Sequence, residues 1–537
     1  MSWLLPLASL APLAMLVAMA WPGARARVFA ALWAAPLPGL LLALLAPGAA
    51  PLVLDADGLR LTLALDAPGA LLLGAAALLW SAAGLYVRGS MAGRPHAHRF
   101  AAWWLLTLSG GLGVFMAGDL LSFYLAFAVV SLAAFGLVAH DGTPAARRAG
   151  GLYLVLAVAG EIALLLGFAL LATRAPGESL AIADVAPVLA TAPGRFVIGL
   201  LMVIGFGLKM GLVPLHVWLP VAHPAAPTPG SAVLSGAIIK AGVIGLIRFL
   251  PVGGAPVAAG ESLAVLGFAT AFWGVAMGLT QRNPKTVLAY SSVSQMGVVA
   301  AVLGMGLALG EAGTPLHAAF YALHHVLAKG ALFLGVGVAL AAGPAARLWV
   351  LPLAVLLALG FGGLPPTGGA LAKAATKPEL GAGLAAWCAM LSAAGSTALM
   401  LHFANRLRLA LAAAPRGAAG PALLGPWLGL ATAALLLPWA LYPLVTGEAP
   451  SGLWAATTLL PVAAGALFAA AWLGLGARVP EVPGGDILVL LRRGAAPREA
   501  AGRAVAALEH AFRPWPAAGL ALLTLVLALF GVMAARG

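Results

Sequence analysis

The chain has very few charged residues and a single cysteine. Only 8% of its 537 residues are charged, 63% are hydrophobic and the mean hydropathy is +1.04, whereas a soluble protein is about a quarter charged. This composition excludes a soluble enzyme, a nucleic-acid-binding protein and a disordered chain. The lone Cys388 excludes a disulfide framework, a cysteine-ligated zinc site and an iron–sulfur cluster, because each needs several sulfur atoms. No glycine-rich nucleotide motif follows a strand pattern, so we expect no cofactor and no metal site.

Long apolar runs dominate the sequence instead. A helix that crosses a bilayer needs about 20 apolar residues, and breaks at Gly, Pro and Arg divide the chain into sixteen such segments. We therefore predict an all-α polytopic membrane protein with 14–16 transmembrane helices. The segments lie at 3–20, 28–47, 69–87, 101–117, 119–139, 151–172, 195–213, 231–250, 262–280, 286–306, 317–341, 349–362, 381–403, 422–445, 452–475 and 517–534.

The arginines alternate between successive loops. Odd-numbered loops hold 18 of the 23 arginines, whereas the even-numbered loops, the helix ends beside them and the tail hold five, with many of the acidic residues around them. The positive-inside rule then places the odd loops in the cytoplasm and both termini outside, and we expect the inner (plasma) membrane of a bacterium. The net charge of +13 thus reflects topology, not nucleic acid. We predict a cytoplasmic amphipathic helix on the membrane surface within 478–516, with a solvated loop helix as the open alternative.

All six lysines fall between 209 and 377. Lys209, Lys240 and Lys329 lie inside apolar runs, and Lys373 closely follows one. A charge at mid-bilayer costs about 2.5–3.5 kcal/mol on insertion scales, so four such lysines indicate a function. A desolvated ammonium can release a proton near neutral pH, whereas a guanidinium stays charged. For any single lysine, a snorkelling or helix-packing contact is the alternative.

Two of these lysines lie beside helix-breaking sequence. Lys209 is followed by Pro214 and Pro220, and Lys373 is preceded by the run GGLPPTGG at 362–369. Broken helices at membrane depth face protein or a water-filled cavity, and paired breaks in two halves of a chain mark transport sites in inverted-repeat carriers. We predict two inverted five-helix repeats, with ordinary proline kinks as the alternative. The predicted regions are N-terminal helices at 1–100, the repeats at 101–250 and 251–410, and C-terminal helices at 411–537.

Histidines extend this polar set. His324 and His325 lie about one turn before Lys329 in the same apolar segment. Together with Lys240 they are predicted to form a polar axis through the membrane, since histidine exchanges protons near neutral pH. A structural contact is the alternative for either histidine.

Five linked motifs occur in order within residues 101–410 and resemble a known family. They are KMGLVPLHVWLP at 209–220, APTPGS with SGAIIK at 226–240, NPK with LAYSSVSQMG at 283–297, HVLAK at 325–329, and GLPPTGG at 363–369 before Lys373. This pattern resembles the antiporter-like proton-translocating subunits of respiratory complex I (the NADH-quinone oxidoreductase chains L, M and N), which are shared with Mrp-type antiporters and membrane-bound hydrogenases. The resemblance implies about fourteen helices, two inverted repeats, and broken seventh and twelfth helices.

The resemblance also implies roles for residues. Lys209 would be the central lysine of a first half-channel, Lys240 with His325 and Lys329 would connect the halves, and Lys373 would end the second half-channel. The implied partners are protons, the lipid bilayer and other membrane subunits of a larger complex, without nucleic acid.

One position departs from the family pattern. The family has a glutamate in the fifth helix that pairs with the lysine of the seventh, and here the matching position is Ala128. Glu161, in the sixth helix, is the other mid-membrane carboxylate and a candidate replacement. Otherwise the first half-channel is inactive or specialised.

We therefore predict a non-redox, proton-conducting membrane subunit of a multi-subunit energy-converting complex, like complex I or a hydrogenase. The alternatives are a cation/proton antiporter module, which would add Na+ as a second ion, and a subunit that couples proton flow to inorganic-carbon uptake. An integral-membrane enzyme acting on lipids is a third class. Its candidate carboxylates, Asp119 and Asp141, are isolated in the sequence.

Overall fold

The computed structural model describes residues 3–56, 59–175, 177, 179–475, 479–487 and 489. The chain divides into two compact units, residues 1–485 and 486–537, and the described part of the second unit comprises Asp486, Ile487 and Val489. The predicted span at 517–534 and the amphipathic stretch within 478–516, apart from its first residues, lie outside the described residues.

The first unit consists mainly of helices joined by short connections. Its N-terminal half contains α1 (Leu4–Ala18), α2 (Pro22–Ala30), α3 (Leu37–Leu45), α4 (Ala67–Met91), α5 (Ala97–Met116), α6 (Leu120–Val138), α7 (Pro144–Ala172), α8 (Ile182–Val185), α9 (Arg195–Met210), α10 (Trp218–Ala225), α11 (Thr228–Val233) and α12 (Lys240–Phe249). Its C-terminal half contains α13 (Ala259–Leu279), α14 (Pro284–Leu309), α15 (Thr314–Ala342), α16 (Val350–Gly360), α17 (Gly368–Ala375), α18 (Lys377–Leu380), α19 (Gly383–Ala413), α20 (Pro421–Thr446) and α21 (Ala456–Leu475). Short 3-10 turns lie at Pro187–Ala190, Leu215–Val217 and Gly343–Leu348.

Eleven helical stretches in the described residues are long and apolar enough to cross a membrane. Two shorter apolar helices, α1 and α16, accompany them. This confirms the prediction of a helical, multi-spanning protein, while the inverted relation between the two repeats stays a prediction.

The second predicted segment, 28–47, is not a single helix. It contains the end of α2, a turn and all of α3. Pro36 and Pro38 flank the start of α3, and a proline inside a helix removes a backbone hydrogen bond and clashes with the preceding turn. The turn at Trp33 packs against α4, where a side chain at Gly84 would come within 2.8 Å of the Trp33 backbone. The prediction of one continuous span here was wrong.

A β-hairpin interrupts the helices between α3 and α4, so the fold is not strictly all-α. Strands β1 (Leu52–Ala56) and β2 (Leu59–Leu63) pair antiparallel, with Leu52 opposite Leu63 and Ala56 opposite Leu59. The β2 sequence Leu-Arg-Leu-Thr-Leu alternates in the way that a strand requires. The charged residues of this stretch, among them Asp55 and Arg60, had favoured a loop between two spans.

Asp119 links the hairpin to the start of α6 through hydrogen bonds. Its carboxylate accepts hydrogen bonds from the backbone N–H groups of Thr62 and, at 2.8 Å, of Ser122, and it forms a capping box at the start of α6. A buried carboxylate with these partners is a helix cap. This assignment removes Asp119 as a candidate catalytic group for the lipid-enzyme alternative.

Contacts between loops sort them into the same two groups as the arginine count. The hairpin, the α5–α6 connection and the segment before α8, which are all even-numbered loops, form backbone hydrogen bonds with one another. Several odd-numbered loops likewise form hydrogen bonds with one another. The even-loop bonds include Gly118 N–Thr62 O and Ile182 N–Gly118 O, at 2.8 and 2.9 Å. The odd-loop bonds include Arg99–His140 O, Lys285–Ala226 O and Arg406–Arg282 O, at 2.9–3.0 Å. These bonds agree with the grouping for the loops that they join, and which group faces the cytoplasm stays a prediction.

Helices α13 and α14 touch backbone to backbone through glycines. Gly260, Gly267 and Gly274 recur every seven residues on α13, and a Cβ at Gly267 would lie 2.4 Å from the backbone nitrogen of Ala301. Small residues allow such close approach between helices in a membrane. The packing holds α14 in place at the centre of the unit.

Candidate functional site

The first predicted break lies directly after Lys209. Helix α9 ends at Met210, Gly211 adopts φ +84°, and the chain resumes as a 3-10 turn at Leu215–Val217 followed by α10. Glycine tolerates this left-handed conformation, which other residues disfavour. The break leaves Lys209 in the last turn of a helix that ends inside the protein, where its side chain is 2% exposed.

Aromatic groups surround the Lys209 amine. Its Nζ lies 3.3 Å from the Tyr153 hydroxyl and 5.4 Å from the centre of the Phe127 ring. The Tyr153 hydroxyl in turn donates a hydrogen bond to the backbone carbonyl of Ser131 on α6. Cation–π and hydroxyl contacts of this kind stabilise an ammonium without neutralising it.

The position of the missing glutamate lies beside this cluster. Ala128 directly follows Phe127 on α6, and Glu161 lies two helical turns after Tyr153 on α7. Glu161 is 5% exposed, and both of its carboxylate oxygens are buried. The charges of Glu161 and Lys209 act on each other. The structure therefore brings the predicted substitute carboxylate and Lys209 into one buried neighbourhood.

Lys240 and His325 are in direct contact. The Lys240 Nζ lies 2.6 Å from Nδ1 of His325 and 3.2 Å from the backbone oxygen of Ser235, to which it donates. Lys240 and His325 are fully buried. A π-helical turn at Leu234–Ile238 precedes Lys240, and such turns occur frequently at functional sites. The structure thus brings Lys240 of α12 and His325 of α15 together, while their part in a polar axis through the membrane stays a prediction.

Helix α14 supplies the groups that surround the next lysine. The Lys329 Nζ donates to the Leu288 carbonyl and the Ser291 hydroxyl at 3.0 and 2.6 Å. One residue further, the Ser292 hydroxyl lies 2.7 Å from that of Ser235. Since Ser235 also accepts from Lys240, helix α14 connects the surroundings of both lysines. The Phe361 ring lies 4.7 Å from the Lys329 amine.

Phe361 also contacts both histidines. Its ring centre lies 5.3 Å from that of His324 and 5.6 Å from that of His325. Phe361 directly follows α16, at the second predicted break. The break therefore places one aromatic ring against Lys329, His324 and His325 together.

Lys373 lies on α17, beyond the second break, and is half-buried instead of fully enclosed. Its Nζ lies 5.8 Å from the centre of the Tyr321 ring. The Tyr321 hydroxyl donates to the Gln295 side chain at 2.7 Å, and Gln295 donates to Ser396 at 3.0 Å. A substituent at Gly363, where φ is +94°, would lie 2.9 Å from the Lys373 side chain. The broken segment thus holds the lysine against the face of α15.

Several polar residues of this site were not singled out from the sequence. They are Tyr153, Ser235, Ser291, Ser292, Gln295 and Tyr321. On α14 the spacing 291, 292, 295 places polar side chains on one helical face. Polar side chains at that spacing in an otherwise apolar segment are the signal that would have identified three of the six.

Three of the lysines form hydrogen bonds with groups that carry no fixed charge. Within the described residues, Lys209, Lys240 and Lys329 form hydrogen bonds with hydroxyls, backbone carbonyls and one imidazole. The short Lys240–His325 contact needs one proton and one lone pair, which either nitrogen can supply. A proton can therefore reside on either side of that contact, and a charge on Lys329 raises the cost of a second charge on Lys240.

The chain is similar to a family of known membrane proteins. The family described as NADH:quinone oxidoreductase/Mrp antiporter, TM matches residues 117–402, more than half of the chain. The chain is 35% identical to hydrogenase-4 component B of Escherichia coli (strain K12) over 234 residues, which cover 40% of this chain and 33% of that protein. It is 36% identical to NADH-quinone oxidoreductase subunit N of Desulforudis audaxviator (strain MP104C) over 272 residues, which cover 48% of this chain and 51% of that protein.

A solved structure shares the fold. The Mrp complex from Dietzia sp. DQ12-45-1b aligns with a TM-score of 0.72 and 21% identity, over 100% of this chain and 63% of the matched chain. The two curated relatives above are matched over a third and about half of their own lengths. The match at residues 117–402 contains both helix breaks and the buried row, by which we mean the buried or half-buried residues Lys209, Lys240, His324, His325, Lys329 and Lys373.

Proposed function

The chain belongs to the NADH:quinone oxidoreductase/Mrp antiporter transmembrane family, and from this premise we propose that it is a proton-conducting membrane subunit of a multi-subunit, energy-converting complex. It is a multi-pass membrane protein. We place it in the inner membrane of a bacterium, with other membrane subunits as its partners. The named relatives are components of a hydrogenase, an NADH-quinone oxidoreductase and an Mrp complex, which supports this class.

The observation that carries the proposal is the Lys240–His325 contact of 2.6 Å. Two titratable nitrogens from distant parts of the chain share one hydrogen bond in a fully buried place. A burial of this kind is costly in a membrane and marks ion pathways and proton relays. No packing role requires both groups to be titratable.

The proposed path has two halves joined at this contact. Lys209, with Tyr153 and Glu161, forms the first half, and Lys373, with Tyr321, forms the second. Lys329, His324 and the hydroxyls of α14 lie between the contact and the second half. Each residue holds a proton only while its neighbours do not, because like charges in a dry interior repel strongly. A charge change in a partner subunit would then displace protons along the row.

The test is proton flux through the intact complex, isolated by a tag on this chain and reconstituted into vesicles. An imposed potassium diffusion potential drives the flux, so the natural driving reaction need not be known. Lys209→Ala and Lys373→Ala should each lower the flux at least tenfold. Lys377→Ala is the matched control, since Lys377 is exposed only four residues after Lys373.

Wild-type flux in both lysine variants would overturn the proposal. A flux that requires Na+ on the opposite side would favour an antiporter module, and a flux that requires bicarbonate would favour coupling to carbon uptake. The subunits that co-purify with the chain test the proposed assembly.

A further inference from the structure

A buried acid and a histidine lie outside the row described above. The Glu379 Oε1 accepts a hydrogen bond from the Thr314 hydroxyl at 2.9 Å and lies 2.8 Å from Nδ1 of His317. Glu379 is 2% exposed and His317 is 7% exposed. The second carboxylate oxygen, Oε2, is buried and has no hydrogen-bond partner within the described residues. The pair joins α18 to the first turns of α15.

The pair lies just beneath the protein surface. Lys377 and Pro378, immediately before Glu379, are exposed, and so are residues 381–384 after it. The loop before α15 is also partly exposed, from Glu311 to Gly313. This loop belongs to the even-numbered group, which the arginine distribution places outside the cell. Glu379 is therefore a covered carboxylate close to the protein surface, on the side that is predicted to face outward.

The pair also continues the buried row. Thr314, His317, Tyr321, His324 and Lys329 recur every three to five residues on α15 and share one face of the helix. The Lys373 amine lies over the face of the Tyr321 ring, and His317 lies one helical turn before Tyr321 on α15. The polar face of α15 thus leads from the middle of the membrane, past Lys373, to the His317–Glu379 pair.

Two glycines make room for the His317 ring and the Thr314 hydroxyl beside Glu379. A Cβ at Gly313 would lie 2.6 Å from the His317 ring, and one at Gly306 would lie 2.1 Å from the Thr314 hydroxyl. The ring and the hydroxyl therefore pack directly on backbone, which fixes their direction towards Glu379.

We propose that His317 and Glu379 form the outward proton-release site of the second half-channel. This inference rests on the proposed function, since it needs protons to reach Lys373. A proton that leaves Lys373 is taken up at the His317–Glu379 pair, shared between Nδ1 and Oε1, and leaves from Oε2 to water at the outer surface. The pair then returns to its starting state, so no proton is gained or lost.

The decisive variants are Glu379→Gln and His317→Gln in the reconstituted complex. Glutamine at 379 keeps the shape and still accepts from Thr314, so a pair that only ties α15 to α18 would tolerate it. We expect assembly at the wild-type level and at least a tenfold loss of proton flux in both variants. Glu379→Asp retains a titratable acid and should recover part of the flux. Glu311→Gln, the same change at a half-exposed carboxylate of the adjacent loop, should conduct as the wild type does.

The outcomes separate this inference from the proposed function. If Lys373→Ala is inactive while Glu379→Gln or His317→Gln conducts normally, protons leave elsewhere and the release site is wrong. If Lys373→Ala itself conducts normally, the proposed function fails together with the release site. If Glu379→Gln does not assemble, the assembled Glu379→Asp and His317→Gln complexes decide the question. Proton flux in Glu379→Asp without flux in His317→Gln supports the release site. Flux in His317→Gln without flux in Glu379→Asp overturns it.

Discussion

The Nζ of Lys240 lies 2.6 Å from Nδ1 of His325, although the two residues are 85 positions apart in the sequence. If this contact transfers protons between the halves, His325→Leu should reduce proton flux through the reconstituted complex at least tenfold, because Lys240 loses its titratable partner. His325→Gln, which offers a hydrogen bond but no proton exchange at neutral pH, should be equally impaired. His98→Leu is the control, since His98 is exposed. Normal flux in His325→Gln would mean that the contact is structural.

Glu161 is predicted to compensate for the missing glutamate at Ala128. Glu161→Gln should lower proton flux at least fivefold, because Lys209 would lose a buried carboxylate whose charge acts on it. Glu261→Gln, at an exposed acid on α13, provides the matched control. An Ala128→Glu change made in the Glu161→Gln background should restore conduction if the two positions serve the same lysine. Unchanged flux in Glu161→Gln would end the compensation hypothesis.

An ion pair between Asp66 and Arg248 joins the start of α4 to the ends of α5 and α12. The guanidinium donates to both Asp66 oxygens, at 3.0 and 2.8 Å, and to the backbone carbonyls of Val114, Phe115 and Ala117. Burial alone would raise the pKa of the Asp66 carboxyl, but Arg248 and the Gly69 N–H outweigh it and hold the pKa below its usual 3.8.

Because the pKa of Asp66 is lower in the folded than in the unfolded chain, the ion pair adds to the stability of the fold at high pH and loses this effect at low pH. The pair stabilises the fold fully above about pH 4 and ceases to do so as the pH falls through the folded pKa. Asp66→Asn should therefore lower the melting temperature in detergent at pH 7, and its difference from the wild type should shrink as the pH falls below 3.8 and through the folded pKa of Asp66. Thermal unfolding followed over an acid pH series checks this. A difference that stays constant over the whole series would mean that the carboxylate charge is not responsible.

The glycine contacts between α13 and α14 predict a position-specific loss of stability. Gly267→Ala would place its methyl group 2.4 Å from the Ala301 nitrogen, and overpacking of this kind costs about 1–3 kcal/mol. Gly151→Ala on α7 has no atom within 4 Å of the new methyl group and should be neutral or stabilising by up to about 1 kcal/mol, because alanine favours helix. Melting temperatures of the two purified variants would distinguish the cases. Equal values would contradict the close packing.

Much of this molecule could be predicted from single-residue patterns. The spans follow from apolar runs of fixed length, because the thickness of the bilayer sets that length. Lys209, Lys240 and Lys329 stood out because a charge in an apolar run is costly, and the breaks stood out because proline and glycine act locally on the backbone. Such features depend on a short stretch of chain, so the sequence displays them directly.

The remainder depends on contacts between distant segments. Tyr153 and Gln295 are ordinary residues in the sequence, and only the packing of α7 and α14 brings them to Lys209 and Tyr321. Glu379 was overlooked because it follows a proline in a short polar stretch that resembles a solvated loop, whereas the fold buries it against α15. The hairpin was missed because five-residue strands carry little periodic signal beside long helices.

One consequence of the backbone contact between α13 and α14 concerns timing. Ser291, Ser292 and Gln295 are rigidly joined to one another, since they are neighbours on α14, and they serve three separate partners: Lys329, Ser235 and Tyr321. A rotation or translation of α14 along its axis would therefore break all three hydrogen bonds together. Because the three side chains are carried by one helix, a shift of α14 would change their contacts with Lys329, Ser235 and Tyr321 together.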